Sequence, residues 1–452
     1  MSEAAATAVL DIGKTNVKLT LVDASGVTLA ERRLPNTAVA DGPYPHHDTE
    51  RIWDWLLATL RELGATARIG AIVPVTHGAT AALVDAEGLV LPVLDYESIL
   101  PEEISARYDG VRPPFAATCS PALPAGLNLG RQLAWQAARH PEQFARTRHI
   151  LMYPQYWAWR LCGVAAGEVT SLGCHTDLWQ PQTKTYSSLV AYMGWSPLMP
   201  PLRPAGEVLG PLLPALAQLT GLPADCQVVC GIHDSNASLL RYLDGGVGAV
   251  LSSGTWLIAA SFHTALDRLD EQADMLANTN ARGAPVACMR FMGGREFARL
   301  AGAAPVACEL ADLQTVIEQD SMALPCFAES GGPFSGRSGS ISGPAPASDV
   351  QRYALATLYC ALMCDYCLDA LDASGAVAVE GSLTGNPWFA GLLAALRPAQ
   401  PVLVSDDTSG TTHGGWLLHR GAATRGNARP PAEALHLAGL HAYKARWRAQ
   451  VS

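Results

Sequence analysis

The chain has 452 residues, 49% of them apolar and 16% charged, with a formal net charge of −10. That is enough chain for two or three domains with substantial cores. The acidic balance argues against a nucleic-acid surface, and the sequence contains no uncharged apolar run of about 18 residues to span a membrane. The opening segment reads as lacking the basic and apolar parts of a secretory leader, so the eleven cysteines read as cytoplasmic thiols.

The first informative stretch is Asp11-Ile12-Gly13-Lys14-Thr15-Asn16-Val17-Lys18, a glycine-centred, hydroxyl-rich turn that follows a short apolar run. Such a turn presents N–H groups and hydroxyls to an anion. Gly13-Lys14-Thr15 imitates the end of a P-loop, but the first glycine of that motif would fall at Ala8, and a P-loop opens a helix. Here Val17 to Leu21 alternate apolar and polar, which is strand periodicity. Asp23 to Gly26 reads as a turn and Val27 to Leu29 as a further strand. The prediction is a β-meander with an anion-binding hairpin. Asp11 could hold Mg²⁺ through water, and Lys18 could offset phosphate charge.

Further on, Ile52 to Leu63 reads as a helix, Ile69 to Val75 and Ala81 to Asp85 as strands, and Arg131 to Ala138 and Gln155 to Leu161 as helices. Gln227 to Gly231 reads as a buried strand, after which Ile232-His233-Asp234-Ser235-Asn236 opens a helix reaching Leu243. Asp234 at that point suits an N-cap. The second half restarts with an apolar strand, Val247 to Leu251, a second glycine turn, Ser252-Ser253-Gly254-Thr255, and another strand, Trp256 to Ala260. The repeated order implies a duplication, with domains at 1–243 and 244–452. Gly331 to Ser348 is rich in Gly, Ser and Pro and reads as a loop. Tyr353 to Leu371 has helical period, with Cys360, Cys364 and Cys367 on its apolar face. Free cysteine packs as a small hydrophobe, and no second Cys or His pair lies nearby to complete a zinc site.

Taken in order, these motifs resemble the FGGY-type carbohydrate kinases, relatives of actin, hexokinase and Hsp70, over nearly the full length. Asp11 to Lys18 resembles the family's first phosphate motif, although Lys14 is an unusual residue there. Ser252-Ser253-Gly254-Thr255-Trp256 resembles the second, and Gly231-Ile232-His233-Asp234 the segment with the catalytic aspartate. Glu380-Gly381-Ser382, Asn386-Pro387 and Thr408 to Gly415 resemble the adenosine-binding region, with Glu380 where the family often has glycine.

The resemblance implies an α/β, two-domain, ribonuclease H-like fold with an interdomain cleft. It implies transfer of the γ-phosphate of ATP to a sugar hydroxyl with Mg²⁺. Asp234 would be the general base. Asp11, Gly13, Lys14, Thr15, Asn16, Lys18, Ser253, Gly254, Thr255, Gly381, Ser382 and Asn386 would surround ATP and its metal, while His77, Asp95, His233 and Asp234 would surround the sugar. His233-Asp234 together with Ser252 to Trp256 resembles the branch acting on 6-deoxy ketohexoses, L-fuculose and L-rhamnulose, with a C1 hydroxyl as the expected acceptor, and Thr15-Asn16-Val17-Lys18 points towards fuculose. The segment at His77 matches neither type, so xylulose and ribulose stay open. A sensor without turnover and a chaperone-type ATPase are the rival readings. The implied partners are the sugar and ATP, with no nucleic acid and no membrane; a homodimer stays open.

Overall fold

The computed structural model describes residues 5–100, 102–302, 306–329, 331–405, 410–421 and 430–452. Within these, the chain forms two compact units. One takes Met1–Arg241, Ala277–Pro285 and Ser409–Arg425; the other takes Tyr242–Leu276, Val286–Thr408 and Gly426–Ser452. Residues 277–285 and 410–421, which the sequence reading placed in a second domain, therefore pack with the first unit.

The first unit opens with the expected meander. Ala6–Ile12, Asn16–Val22 and Thr28–Pro35 pair antiparallel, with Asp11 opposite Lys18 and Ile12 opposite Val17. That register excludes a P-loop, whose strand leads into a helix. Ala6–Ile12 is buried along its whole length, as a central strand of apolar and β-branched residues should be. Its other neighbour is the parallel strand Ile69–Thr76, followed by Gln227–Val229 and the antiparallel edge strand Val208–Pro211.

The helix Thr49–Gly64 begins where the Asp48 carboxylate accepts from Arg51 N, and it buries Ile52, Leu56, Leu60 and Leu63, a helical stripe. Trp157 is fully buried in the core below the sheet.

The strand expected at Gln227 to Gly231 is broken in two. Gly231 has φ of +93°, and a Cβ there would stand 2.6 Å from Pro74 O. Only glycine tolerates that conformation and that approach. After it, Ile232–His233 rejoins the same neighbour, Ile69–Thr76. The helix that follows spans Asp234–Leu240 and stops short of Leu243; its N-cap is His233, and Asp234 is its first helical residue.

The second unit repeats the pattern. Val247–Ser253, Leu257–Ser261 and Pro285–Phe291 pair antiparallel, and Val247–Ser253 has Ala376–Gly381 as its parallel neighbour, with Val402–Val404 beyond. The same sequence of antiparallel and parallel pairings in both units supports the duplication. The long helix Asp349–Ala370 crosses the core of this unit, with Cys360, Cys364 and Cys367 fully buried. Burial pushes all three thiols up, so they stay protonated and pack as hydrophobes. Among the described residues no group of three or more His, Cys, Asp or Glu side chains is placed to chelate a metal. The segment read as a loop from Gly331 contains a short strand, Ser340–Ser342, paired with Met322–Leu324.

Candidate active site

In the first unit Thr76 pairs with both Ile12 and His233. This register aligns the carboxyl ends of three parallel strands. The next residue of each is Gly13, His77 and Asp234. The ends of parallel strands are where open α/β sheets bind ligands.

Asp11 is buried, and its Oδ2 receives Lys18 Nζ at 2.8 Å and Thr411 Oγ1 at 2.7 Å. Thr411 comes from the helix Gly410–Arg420. Two glycines let that helix approach: a Cβ at Gly414 would stand 2.0 Å from Ala237 O, and one at Gly415 2.7 Å from Val9. The C-terminal glycine motif thus serves the Asp11 strand. Thr408 and Ser409 lie outside the described residues.

The hairpin itself is closed by Gly13 N donating to Asn16 O at 2.9 Å. Asn16 Nδ2 donates to Thr15 Oγ1 at 3.1 Å in an exposed position. Lys14, expected at phosphate, instead pairs with Asp95, lies 3.3 Å from Glu97, and stands 5.0 Å above the Tyr96 ring. It joins the hairpin to the segment expected to hold sugar.

Asp234 Oδ1 accepts from Ser235 N at 2.6 Å and Ser235 Oγ at 3.3 Å, and lies 3.2 Å from His233 Nε2. Burial, then the charge of Asp11, raises its pKa to about 6. A carboxylate so poised is ionised at neutral pH and basic enough to take a proton.

His77 donates from Nδ1 to Gly78 O at 3.0 Å, while its buried Nε2 has no protein partner among the described residues. Burial lowers its pKa. Its ring packs against His47, Tyr96 and Tyr153, at centroid distances of 5.0, 5.4 and 5.1 Å. Sequence reasoning missed His47 and Tyr153. His47 is only 2% exposed and neither ring nitrogen has a protein partner among the described residues. It is brought there by His47 N donating to Val93 O at 2.9 Å, a pairing without a local sequence signal.

In the second unit the expected residues brace one another. Gly254 N donates to Trp256 O at 2.9 Å, closing the hairpin as Gly13 closes the first. Ser253 Oγ donates to Glu380 O at 2.7 Å and accepts from Leu383 N at 2.9 Å, and Ser382 Oγ donates to Ser253 O at 3.3 Å. Gly381 has φ of +85°, and a Cβ there would stand 2.0 Å from Ser253 O. Gly254 has no such constraint, since its nearest contact would be 3.8 Å away. Thr255 is exposed beside it. Asn386, expected at adenosine, is buried, with Nδ2 donating to Thr357 Oγ1 at 2.9 Å and Oδ1 accepting from Trp388 N at 3.0 Å. Both ends of its amide are engaged inside the unit. Glu380 accepts from Tyr242 OH at 3.0 Å.

Residues 118–241 match the N-terminal domain of the FGGY family of carbohydrate kinases, and residues 246–429 match the C-terminal domain of carbohydrate kinase FGGY. The chain belongs to the FGGY family. A solved carbohydrate kinase from Novosphingobium aromaticivorans is 37% identical, with a TM-score of 0.93 over 100% of this chain and 99% of that one. L-fuculokinase of Escherichia coli K12 is 27% identical over 268 residues, 55% of each chain. L-xylulose/3-keto-L-gulonate kinase of the same organism is 25% identical over 270 residues, 56% of this chain and 53% of that one. The matched region thus spans about half the length of these curated relatives. A ligand-bound xylulose kinase from Lactobacillus acidophilus, 14% identical, has a TM-score of 0.79 over 98% of this chain and 96% of that one. The fold is the mixed α/β, two-domain fold of sugar kinases, in the superfamily of actin and hexokinase.

Proposed function

We propose that this FGGY-family chain transfers the γ-phosphate of ATP to the C1 hydroxyl of a ketose, with L-fuculose the leading substrate and L-rhamnulose next. The observation that carries this reading is Asp234, which follows the end of a parallel strand as Gly13 and His77 do, with its Oδ1 3.2 Å from His233 Nε2 and in the same unit as Asp11. Asp234 accepts the hydroxyl proton as the phosphoryl group is received. The phosphoryl transition state is loose, so positioning and charge neutralisation do most of the work. Lys18 offsets Asp11 on the first hairpin. The exposed Thr255 offers its hydroxyl on the second.

The family implies Mg²⁺. Asp11 gives one oxygen to Lys18 and Thr411, and its charge is felt at Asp234. This fits an ion held through water by Asp11, rather than one chelated directly by several protein ligands. When bound, it would neutralise phosphate charge.

The charges around the site support an uncharged sugar over a sugar acid. Among the described residues the carboxylates Asp11, Asp95 and Glu97 pair with Lys14 and Lys18, and Asp234 adds a further acid beside His233. The preference for L-fuculose rests on the sequence motifs and on the L-fuculokinase relatives; xylulose and ribulose are the alternatives. All eleven cysteines are free thiols, which supports a reducing, cytoplasmic setting. Among the described residues no helix is long and apolar enough to cross a membrane. The test is the product. Incubation with ATP, Mg²⁺ and L-fuculose, read by ³¹P and ¹³C NMR, should give a phosphate ester at C1. An ester at another carbon would contradict the C1 assignment, and no ester with any ketose would favour a sensor.

A further inference from the structure

The segment Asp95-Tyr96-Glu97-Ser98 runs through a turn, and backbone bonds set its path. Asp95 N donates to Pro45 O at 3.0 Å, Ser98 N to Asp95 O at 2.9 Å, and Gly126 N to Tyr96 O at 2.9 Å. The side chains need a further tie. Asp95 is only 6% exposed, and a buried carboxylate is costly without a cation beside it. Lys14, at the tip of the first hairpin, supplies that cation. Its Nζ pairs with Asp95 Oδ1, lies 3.3 Å from Glu97 Oε2 and stands 5.0 Å above the Tyr96 ring. One ammonium thus meets three consecutive side chains of the turn.

We propose that Lys14 is a positioning residue for the sugar: it clamps residues 95–97 against the first hairpin and so presents Asp95 Oδ2 and the Tyr96–His77 ring pair to the ketose. This rests on the kinase reading and deepens it. Asp95 Oδ1 is taken up by Lys14 and by Glu97 N, which donates to it at 3.2 Å. Among the described residues Oδ2 accepts no hydrogen bond, so it is the oxygen left to accept from a sugar hydroxyl. The Tyr96 ring meets His77 edge-on at 5.4 Å, and the buried His77 Nε2 has no partner among the described residues. The charge of Asp234 is felt at both Tyr96 and His77, so the clamped turn lies beside the proposed base.

A phosphate ligand needs charge to spare, and the charge of Lys14 is already met by two carboxylates. Its position in the glycine turn and its contacts therefore give opposite expectations for a single substitution. A phosphate ligand would act on ATP. A clamp on the 95–97 turn acts on the sugar.

The test is Lys14→Met in the full chain, which keeps an unbranched stem and removes the charge. The KM for L-fuculose, or for whichever ketose the wild type turns over best, should rise about tenfold, while the ATP KM stays within about twofold. An ATP KM that rises as much as the sugar KM or more, or a sugar KM that does not move, would overturn the proposal. Asp95→Asn should raise the sugar KM by itself, and adding Lys14→Met to it should change that KM by less than about twofold; full additivity would show that Lys14 does not act through Asp95 and would also overturn it. Hydrogen exchange read by mass spectrometry needs no substrate. In Lys14→Met and in Asp95→Asn the amides of residues 96–98 should exchange roughly tenfold faster, with the amide of Gly13 unchanged. Unchanged exchange at 96–98 would remove the clamp. If the wild type phosphorylates no ketose, the kinase reading fails, while the exchange result still decides the clamp.

Discussion

Lys18 Nζ lies 2.8 Å from Asp11 Oδ2, and the two residues face each other across the first hairpin. The hairpin register thus places a cation on the carboxylate whose charge raises the pKa of Asp234. Removing that cation should raise it further. In Lys18→Met the acid limb of kcat/KM should move to higher pH, so activity near pH 6.5 falls several-fold and partly recovers by pH 8. A pH–rate profile of both proteins checks this; an unmoved limb would show that Lys18 does not screen Asp11.

The glycines of the second unit separate folding from nucleotide binding. Gly254→Val meets no close neighbour in its own unit, whereas Gly381→Val must force a positive φ and a clash with Ser253 O. Gly254→Val should therefore melt near the wild-type temperature but raise the KM for ATP about tenfold or more, because a side chain blocks approach of phosphate to the backbone. Gly381→Val should lose stability by about 2 kcal/mol or more. Thermal melts and ATP titrations check the pair. A normal ATP KM in Gly254→Val would remove the second hairpin from the phosphate site.

Glu168 is fully buried, and desolvation raises its pKa to about 7 despite its bonds from Thr170. Its ordinary value is 4.5, so between those limits the folded chain holds more protons here than the unfolded chain. Stability from this group therefore falls as pH rises from about 4.5 to about 7, then levels off. Glu168→Gln, which cannot ionise, should lose that fall. The melting temperature of the variant minus that of wild type should rise across this window. A flat difference would contradict the burial of an ionisable Glu168.

The backbone of the site was largely legible. Alternation from Val17 to Leu21 revealed the hairpin, although the folded strand buries Thr20 along with its apolar residues. The restart at Val247 revealed the second unit because its turn repeats the same chemistry. Side-chain partnerships were not legible, since they depend on pairings between distant segments. Thr411 reaches Asp11 only because Gly414 and Gly415 let their helix approach. Nothing local marks His47 or Tyr153 as neighbours of His77. Lys14 looked like a phosphate ligand from its place in the turn, but its reach to Asp95 depends on a loop from another part of the chain. Asn386 looked available from its motif, while its amide is taken up by Thr357 and Trp388.

The most direct measurement of the central claim is ketose-dependent ADP release by wild type and Asp234→Asn, assayed side by side over a panel of L-fuculose, L-rhamnulose, xylulose, ribulose and glycerol. The substitution keeps the size of the side chain and removes the proton acceptor. The account predicts release that depends on a ketose, strongest with L-fuculose, and a loss of about 100-fold or more in Asp234→Asn with the sugar still bound. ADP release that ignores the sugar, or near-normal turnover in a folded Asp234→Asn, would contradict it.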